Sequence, residues 1–389
     1  FVGSPKYEGT SVGATYGKID ILHSPAKDQT ETTAFREWSK GAPVAKIGEY
    51  FNFEPDRPVV VEGVHGTTHG FSKVDISSAN PENDMGRGFY MSNTPKEVEA
   101  LYASDKGPDL TARIEFMSEQ LTSEIQFDPD AFGVDPNASI ETIEATALKM
   151  AKEQLVGEGA RTYKVYARMD KPLVIGGRFE NETEFTYEYG EGTESGTLLD
   201  LVEAIHEVLS EADPQGVIGG ITQADIEQVV ADVMEAAQGD SIGAYDVIKA
   251  MKESKGLMYA NDEEGRMASH DLVTRVFREM GFDGIIDKTV WERFGRRRGM
   301  QAMDRNTVHY IAFEPTQIKS AIGNRGTFDP KSENMLHSPA KDTPVYTGAM
   351  LSDTGGSGAA LNFWRTVVKE PLLSKVYAHH MTMDFRPSA

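Results

Sequence analysis

The sequence contains no cysteine among its 389 residues. This absence excludes disulfide bonds, thiolate metal sites and cysteine nucleophiles, so the stability of the fold does not depend on redox state. Histidine offers no evident metal site either. His379 and His380 are neighbours in a predicted helix and point in different directions, which makes them a poor pair of metal ligands.

Long hydrophobic runs are also missing. No apolar stretch approaches the ~20 residues that cross a bilayer, and the N-terminus has no basic segment followed by an apolar one. With 39% hydrophobic residues, the chain can still bury the core of one large or two ordinary domains. Because the first residue is Phe1, we expect a fragment or a processed product.

Basic residues are scarce relative to acidic ones. The chain has 39 Lys and Arg against 61 Asp and Glu, which gives a formal net charge of -22. This charge argues against non-specific binding to nucleic acid, because such binding relies on Lys and Arg to neutralise phosphates. The exception is a cluster of Arg293, Arg296, Arg297 and Arg298. It can hold phosphates or an acidic partner, but a solvated loop is the favoured interpretation.

The most informative stretch begins with a β-branched run, Val59 to Val64, that predicts a buried strand ending in His65-Gly66-Thr67. A polar loop and a second strand with Gly88-Phe89-Tyr90 follow, and a helix then brings in Tyr102. A glycine directly after the histidine lets a ligand approach the backbone closely, which suits a flat carboxamide.

Tyr90 and Tyr102 can close over such a flat ring, because aromatic stacking suits planar ligands. For any one of these residues alone, a more ordinary role is more common. His65 would then be a hydrogen-bonded strand histidine, and the tyrosines would belong to the core.

Taken together, these residues resemble the histidine and tyrosine motifs of ADP-ribosyltransferases of the diphtheria-toxin and poly(ADP-ribose) polymerase type. The resemblance is in particular to ADP-ribosyltransferase-like modules in polyvalent proteins of bacteriophages and mobile elements. It extends over roughly residues 34 to 330. Further matching stretches are Ala34 to Trp38, Val165 to Arg168 with Lys171 to Leu173, Gly281 to Ile285, and His309 to Pro315 with Gln317 to Ser320.

The resemblance implies an α+β fold with a split β-sheet core and a helical insertion. We expect an extended leader over 1–33, the ADP-ribosyltransferase-like domain over 34–330, a linker over 331–360 and a helical tail over 361–389. Apolar residues at helical spacing place the acidic insertion at 178–265. Periodicity further predicts helices at 34–40, 96–103, 110–122, 139–155 and 272–280, and strands at 163–169, 173–175, 284–286 and 308–313.

The same resemblance implies NAD as the substrate and assigns roles to individual residues. In the family, the histidine binds a ribose hydroxyl, the next residue binds the carboxamide through its backbone, and the tyrosines stack on the nicotinamide. His65, Gly66, Tyr90 and Tyr102 match these positions, and Thr67 completes the histidine motif. A glutamate on a late strand does the electrostatic work in the family.

The chain departs from the family at that glutamate, because the matching residue is His309. Glu314 does not replace it, since Glu314 lies five residues further on, in the segment that ends the strand. A neutral histidine accepts one hydrogen bond but supplies no negative charge. The loss of one such contact lowers a rate by ~10²- to 10³-fold, so we expect His309→Glu to raise NAD glycohydrolysis.

Two functions follow from the resemblance. The first is a mono-ADP-ribosyltransferase, with His65, Tyr90 and His309 at the positions assigned to catalysis, that modifies a host protein or nucleic acid. It would act as a phage-delivered module of a larger polyprotein, in the virion or in the host cytoplasm. The second is a weak or inactive module that binds NAD or ADP-ribose or has a structural role in a virion polyprotein.

A duplicated hexapeptide, His-Ser-Pro-Ala-Lys-Asp, occurs at 23–28 and again at 337–342. Proline after serine favours an extended backbone, which both a linker and a protease substrate require. The repeat is therefore either a linker copied along with a module, which we favour, or a recognition site for a maturation protease.

Overall fold

A computed structural model describes most of the chain from residue 29 to residue 335, and two further strands. The described ranges are 29–103, 108–156, 161–176, 181–190, 193–195, 197–212, 220–237, 239–262, 265–297, 303–322, 324, 328–335, 345–350 and 380–385.

These residues form two units, 1–338 and 339–389. The helices and strands, in chain order, are α1 Thr33–Ser39, β1 Val44–Ala45, β2 Val59–Thr67, β3 Phe89–Ser92, α2 Pro95–Leu101, α3 Pro108–Phe127, α4 Ile140–Leu155, β4 Arg161–Met169, β5 Pro172–Ile175, β6 Glu184–Thr186, β7 Glu188–Gly190, β8 Thr193–Ser195, α5 Thr197–Ala212, α6 Gln223–Ala236, β9 Ser241–Gly243, α7 Ala244–Glu253, α8 Ser269–Glu279, β10 Gly284–Asp287, α9 Val290–Phe294, β11 His309–Ala312, β12 Ile318–Ser320, β13 Val345–Met350 and β14 His380–Phe385.

An eight-stranded mixed sheet forms the centre of the first unit. Its strand order is β12-β4-β2-β3-β11-β10-β5, with β1 paired to β2 at the side. Among the described strands of this sheet, only the pairs β1 with β2 and β10 with β5 are parallel. Strands β2 and β4 pair along their whole length, from Val59 with Met169 to Thr67 with Arg161. By contrast, β2 and β3 pair at a single position, Val64 with Ser92, so the sheet is split beyond it.

The insertion between β5 and α8 covers one face of the sheet. Helices α5 to α8 contribute most of the largest core cluster, in which Leu201 and Val229 pack with Ile285 and Ile311 of the sheet. The prediction of an insertion made of helices is incomplete, because the same segment also contains the short strands β6 to β9. These strands are three residues long and too short to show a periodic pattern in the sequence.

Loops cover much of the opposite face. Phe53, Val74 and Met335 come from connecting segments and pack on Val61 and Tyr310 of the sheet in a second cluster. A separate cluster lies between α3 and α4, where Ile125 and Ala147 are fully buried. Within the described ranges, every helix is too short or too polar to cross a lipid bilayer.

Most predicted elements are present, with shifted ends. The run that predicted a strand at Val59 to Val64 continues to Thr67, so His65 and Gly66 lie inside β2. Gly281 follows α8 with φ of +82°, the left-handed conformation that favours glycine at a helix end.

In the second unit, β13 and β14 form an antiparallel pair. They fall in segments that we predicted as a linker and as a helical tail, so those two predictions are wrong for 345–350 and 380–385. Both copies of the hexapeptide lie outside the described residues, as do most of the leader and of the predicted tail.

The packing of α5 on the sheet can be tested by truncating a buried leucine. Leu201 is fully buried in α5, and Leu201→Ala is expected to lower the free energy of unfolding by about 2–5 kcal/mol, because the cavity removes core contacts. Leu199→Ala on the same helix is the matched control, because Leu199 is 38% exposed. This substitution is expected to lower the free energy of unfolding by less than about 0.5 kcal/mol.

Urea unfolding followed by circular dichroism and by tryptophan fluorescence checks this expectation. If α5 belongs to one core with the sheet, both signals shift together in the Leu201 variant. A separate early transition in circular dichroism, with unchanged fluorescence, would show that the insertion unfolds as an independent subdomain.

Candidate functional site

The candidate site lies where the sheet splits between β2 and β3. Beyond the pair of Val64 and Ser92, β2 continues along β4, while β3 continues along β11. Side chains alternate between the two faces of a strand, so His65 and Tyr90 project their rings to opposite faces. The clusters agree with this, since the His65 ring stacks on Phe89 while Tyr90 packs against the cluster formed by the insertion.

His65 connects the two halves of the sheet at the split. Its Nδ1 lies 2.7 Å from the carbonyl oxygen of Tyr90, and its ring stacks on Phe89 with 4.3 Å between ring centroids. Burial lowers the pKa of His65 to about 4, although the hydrogen bond to the Tyr90 carbonyl opposes this shift. A carbonyl only accepts hydrogen bonds, so Nδ1 carries the proton of the neutral ring and Nε2 keeps a lone pair.

Gly66 lies against the end of α2. A Cβ atom at this position would lie 2.7 Å from Cγ1 of Val98 and 2.9 Å from the backbone nitrogen of Ala103. The absence of a side chain therefore lets α2 approach the strand closely. The hydroxyl of Thr67 accepts a hydrogen bond from the backbone N–H of His69 at 3.1 Å, which shapes the turn after β2.

Tyr90 anchors the loop that precedes β3. Its hydroxyl donates to the carbonyl of Gly86 at 2.9 Å and accepts from the N–H of Met85 at 3.0 Å. Burial raises the pKa of Tyr90 well above its usual value, so the hydroxyl stays protonated. The hydroxyl thus acts as donor and as acceptor within this loop. A ligand at this site would therefore contact the flat ring of Tyr90.

Tyr102 and His309 come together from distant parts of the sequence. Tyr102 is the C-cap residue of α2, and its ring meets the His309 ring edge-on with 6.1 Å between centroids. His309 opens β11 and pairs with Ser92 on one side and with Asp287 on the other. The structure thus brings His65 to the backbone of Tyr90, and Tyr102 to His309.

His309 is bound to a carboxylate that the sequence analysis missed. Its Nε2 lies 2.8 Å from Oε1 of Glu97, a residue of α2 that is fully buried. The hydroxyl of Ser92 donates to the other oxygen of Glu97 at 2.6 Å, and the N–H of Thr94 donates to Ser92 at 3.1 Å. Burial opposes a charge on His309, but Glu97 outweighs it and raises the pKa of His309 above its ordinary value.

The sequence around Glu97 matches a common helix-capping pattern, so it gives no indication that Glu97 belongs to the site. Thr94 followed three residues later by Glu97 fits a capping box at the start of a helix, with Pro95 at the first helical position. In the structure, Thr94 makes no side-chain capping bond, and Glu97 turns inward to Ser92 and His309. A capping pattern alone does not distinguish these two uses of the glutamate.

A second network of charges supports the loop before β3. Arg293 pairs with Asp84 and with the buried Asp287, and Nζ of Lys252 lies 3.1 Å from Oδ1 of Asp84. Burial alone would raise the pKa of Asp84, but Arg293 and Lys252 outweigh it and lower that pKa. The network joins α7, α9 and β10 to the loop that Tyr90 anchors.

The favoured interpretation of the arginine cluster as a solvated loop is therefore wrong for Arg293. Its guanidinium is mostly buried and belongs to the network with Asp84 and Asp287. Arg296 and Arg297 are exposed and lie over the rings of Trp291 and Phe294, at 5.6 Å and 4.7 Å from the ring centroids. Arg298 lies outside the described residues.

Comparison with known proteins gives one match. Residues 143–328 match the model of a family described as ADP-ribosyltransferase in polyvalent proteins, which covers just under half of the chain. The matched region includes His309 and begins after the other predicted site residues, His65, Gly66, Thr67, Tyr90 and Tyr102. No curated protein and no solved structure matches the chain. The mixed sheet with its helices agrees with the α+β fold of such enzymes, and the match supports an ADP-ribosyltransferase-like function.

The pKa of His65 generates a prediction about stability. Above pH 6.5 the ring is neutral in both the folded and the unfolded chain, and between 6.5 and about 4 only the unfolded chain gains the proton. The contribution of His65 to the free energy of unfolding is therefore complete above pH 6.5. It falls by up to about 3 kcal/mol as the pH drops toward 4.

Proton NMR of the histidine rings measures this pKa directly, and denaturant unfolding at pH 7 and pH 5 measures the loss of stability. His65→Gln, which cannot titrate, is expected to lose part of that pH dependence. A His65 resonance that titrates near 6.5 would contradict the buried, neutral state.

Proposed function

We propose that this chain, which carries an ADP-ribosyltransferase-like module of polyvalent proteins over residues 143–328, transfers a single ADP-ribose unit from NAD to a host macromolecule. The observation that carries the proposal is the convergence of residues at the split between β2 and β3. His65 and Gly66 lie on one edge of the split, and Tyr90 lies on the other. Tyr102 and His309 complete the group from α2 and β11.

The chemistry needs few groups. The bond between C1′ of the ribose and the nicotinamide nitrogen breaks, and its electron pair leaves with nicotinamide. A nucleophilic oxygen or nitrogen of the acceptor then forms a bond to C1′ and gives its proton to solvent. The transition state resembles an oxocarbenium ion, as in glycoside hydrolysis, so the site must hold the ribose and stabilise positive charge.

His65 suits the ribose. Because its Nδ1–H is bound to the Tyr90 carbonyl, Nε2 is left as an acceptor for a ribose hydroxyl. Its low pKa keeps the ring neutral at physiological pH, so it adds no positive charge beside the reacting carbon. The same neutral state preserves the lone pair on which the hydrogen bond depends.

The edge of β2 suits the nicotinamide. Ladder pairing with β3 ends at Val64, so the backbone of Gly66 faces the split. Backbone N–H and C=O groups at such an edge complement a carboxamide, which carries one acceptor and two donors. Tyr102 follows directly on α2, where its ring can stack on the nicotinamide, and the tyrosine motif of the resembling family assigns the same role to Tyr90.

A specific observation favours a second function. The residue at the family's glutamate position is His309, which brings no negative charge of its own. On this alternative the chain binds NAD or ADP-ribose without turning it over, or it serves as a structural part of a virion polyprotein.

The description of the same family supports a proposal for the biological setting. Since the matching family is described by its occurrence in polyvalent proteins, we place the chain in a phage polyprotein. It would be carried in the virion and act in the host cytoplasm, on a host protein or nucleic acid. We assign it a single transfer and no chain building, because members of the resembling family without the glutamate are not polymerases.

The test of the enzymatic function uses the full chain with labelled NAD and a host lysate. Label is expected on protein or nucleic acid, and it is expected to fall by about 10²-fold or more in His65→Ala, because the ribose loses its acceptor. His69→Ala is the matched control, since it makes the same substitution at an exposed histidine four residues away and is expected to keep full activity.

Calorimetry with unlabelled NAD separates the two functions. NAD binding without label on any acceptor, and without release of nicotinamide, would establish the binding module and end the enzymatic proposal. Absence of both binding and turnover would exclude the two NAD-dependent roles and leave only the structural one.

A further inference from the structure

Glu97 is an unusual residue to find at the centre of this site. The chain contains many carboxylates on its surface, yet this one is fully buried, on a helix whose neighbouring Glu99 is exposed. A buried carboxylate is costly unless it is paired and hydrogen-bonded. Both oxygens are used here, one by Nε2 of His309 and the other by the hydroxyl of Ser92.

This arrangement determines the tautomer of His309. An ionised carboxylate only accepts hydrogen bonds, so Nε2 must carry a proton. When the ring is neutral, Nδ1 is then left with a lone pair. The carboxylate also fixes the orientation of the ring, because His309 is held at the start of β11 between Ser92 and Asp287 while Tyr102 lies across its edge.

We propose that Glu97 is a positioning residue that supplies, through His309, the negative charge that the family places directly on the late strand. Nδ1 of His309 accepts the hydrogen bond from the ribose hydroxyl, and the charge of Glu97 lies directly behind the ring. A carboxylate that orients and polarises an imidazole is an established catalytic arrangement. This inference rests on the proposed function, because it assumes that NAD binds beside His309.

The charges around His309 determine how the pair responds to pH. Glu97 and Asp287 face the ring and favour its protonation, whereas Arg293 and burial oppose it, and the result is a raised pKa. Below that pKa, His309 is an imidazolium whose Nδ1 donates, and the pair has no net charge. Above it, Nδ1 accepts and the pair carries one negative charge, so activity is expected to rise with pH above 6.5.

The pairing of Glu97 with His309 also changes the expected effect of His309→Glu on NAD glycohydrolysis. The sequence alone predicts that His309→Glu raises NAD glycohydrolysis, but in this structure it would place a second carboxylate beside Glu97. Two carboxylates that share a site cannot both ionise easily, and one of them takes up a proton. The arrangement of the family, a single ionised glutamate on the late strand, is therefore expected only in the double variant Glu97→Gln/His309→Glu. This variant keeps one carboxylate at the site.

The experiment compares NAD glycohydrolysis and histidine titration in five forms of the full chain, namely the wild type, three single variants and one double variant. In Glu97→Gln, the plateau rate is expected to fall by about 10²-fold, because the charge behind the ring is lost. Its rise with pH is expected to move to lower pH, since the main group that raises the His309 pKa is gone. Glu99→Gln, the same substitution on the exposed side of α2, is expected to match the wild type in rate and pH profile.

The double variant completes the test. Glu97→Gln/His309→Glu is expected to exceed His309→Glu alone in glycohydrolysis, and to lose the pH dependence that belongs to the imidazole. Proton NMR of His309, assigned with His309→Gln, is expected to show a lower pKa in Glu97→Gln than in the wild type.

Each contrary result identifies a different failure. A Glu97→Gln enzyme with the wild-type plateau and pH profile would overturn the positioning role, even if its stability has changed. An unchanged His309 pKa would show that the two side chains are not paired in solution. Wild-type chain that turns over no NAD, with the titration shift intact, would overturn the proposed function and the catalytic role together while leaving the pair as a structural feature.

Discussion

The single pairing of β2 with β3 is the constraint on which the rest of this structure depends. Val64 and Ser92 hold the two halves of the sheet together, and beyond them each strand follows a different neighbour. A carbonyl without a ladder partner costs free energy unless another donor reaches it. His65 supplies that donor to Tyr90, so the residue that bridges the split is also the one that we propose as the acceptor for the ribose hydroxyl.

Buried charge maintains the surroundings of the split. Glu97 pairs with His309, and Arg293 pairs with Asp84, in each case across more than two hundred residues of sequence. Arg293 also pairs with the buried Asp287 six residues before it. Such pairs contribute little net stability, since desolvation cancels much of the attraction, but removal of one partner leaves an uncompensated charge. These pairs therefore hold α2 to β11, and α9 to β10 and to the loop before β3. In a chain with a net charge of -22, Arg293 and Lys252 supply the positive charge that pairs with Asp84 and Asp287.

The insertion contributes to the same site from the face of the sheet on which the Tyr90 ring lies. Its helices share a core with β5, β10 and β11, and Lys252 of α7 reaches the loop that Tyr90 anchors. The insertion is therefore part of the domain in a physical sense, because the sheet face that it covers would otherwise expose Ile285 and Ile311 to water.

The sequence by itself determined the elements whose signals are local. The β-branched run of β2, the apolar stripes of α5 and α6 and the glycine after α8 each follow from periodicity or backbone conformation, and the structure has them. Short strands such as β6 and β9 could not be predicted from the sequence, because three residues are too few to show a periodic pattern of apolar side chains.

The structural roles of Glu97 and Arg293 became evident only from the tertiary structure. The first sits in a capping pattern and the second in a basic run, and each pattern has an ordinary local explanation. Their partners, His309 for the one and Asp84 for the other, are more than two hundred residues away in the sequence. Pairing over such separations is set by strand order and by which face a side chain occupies, and neither is encoded in the residues nearby.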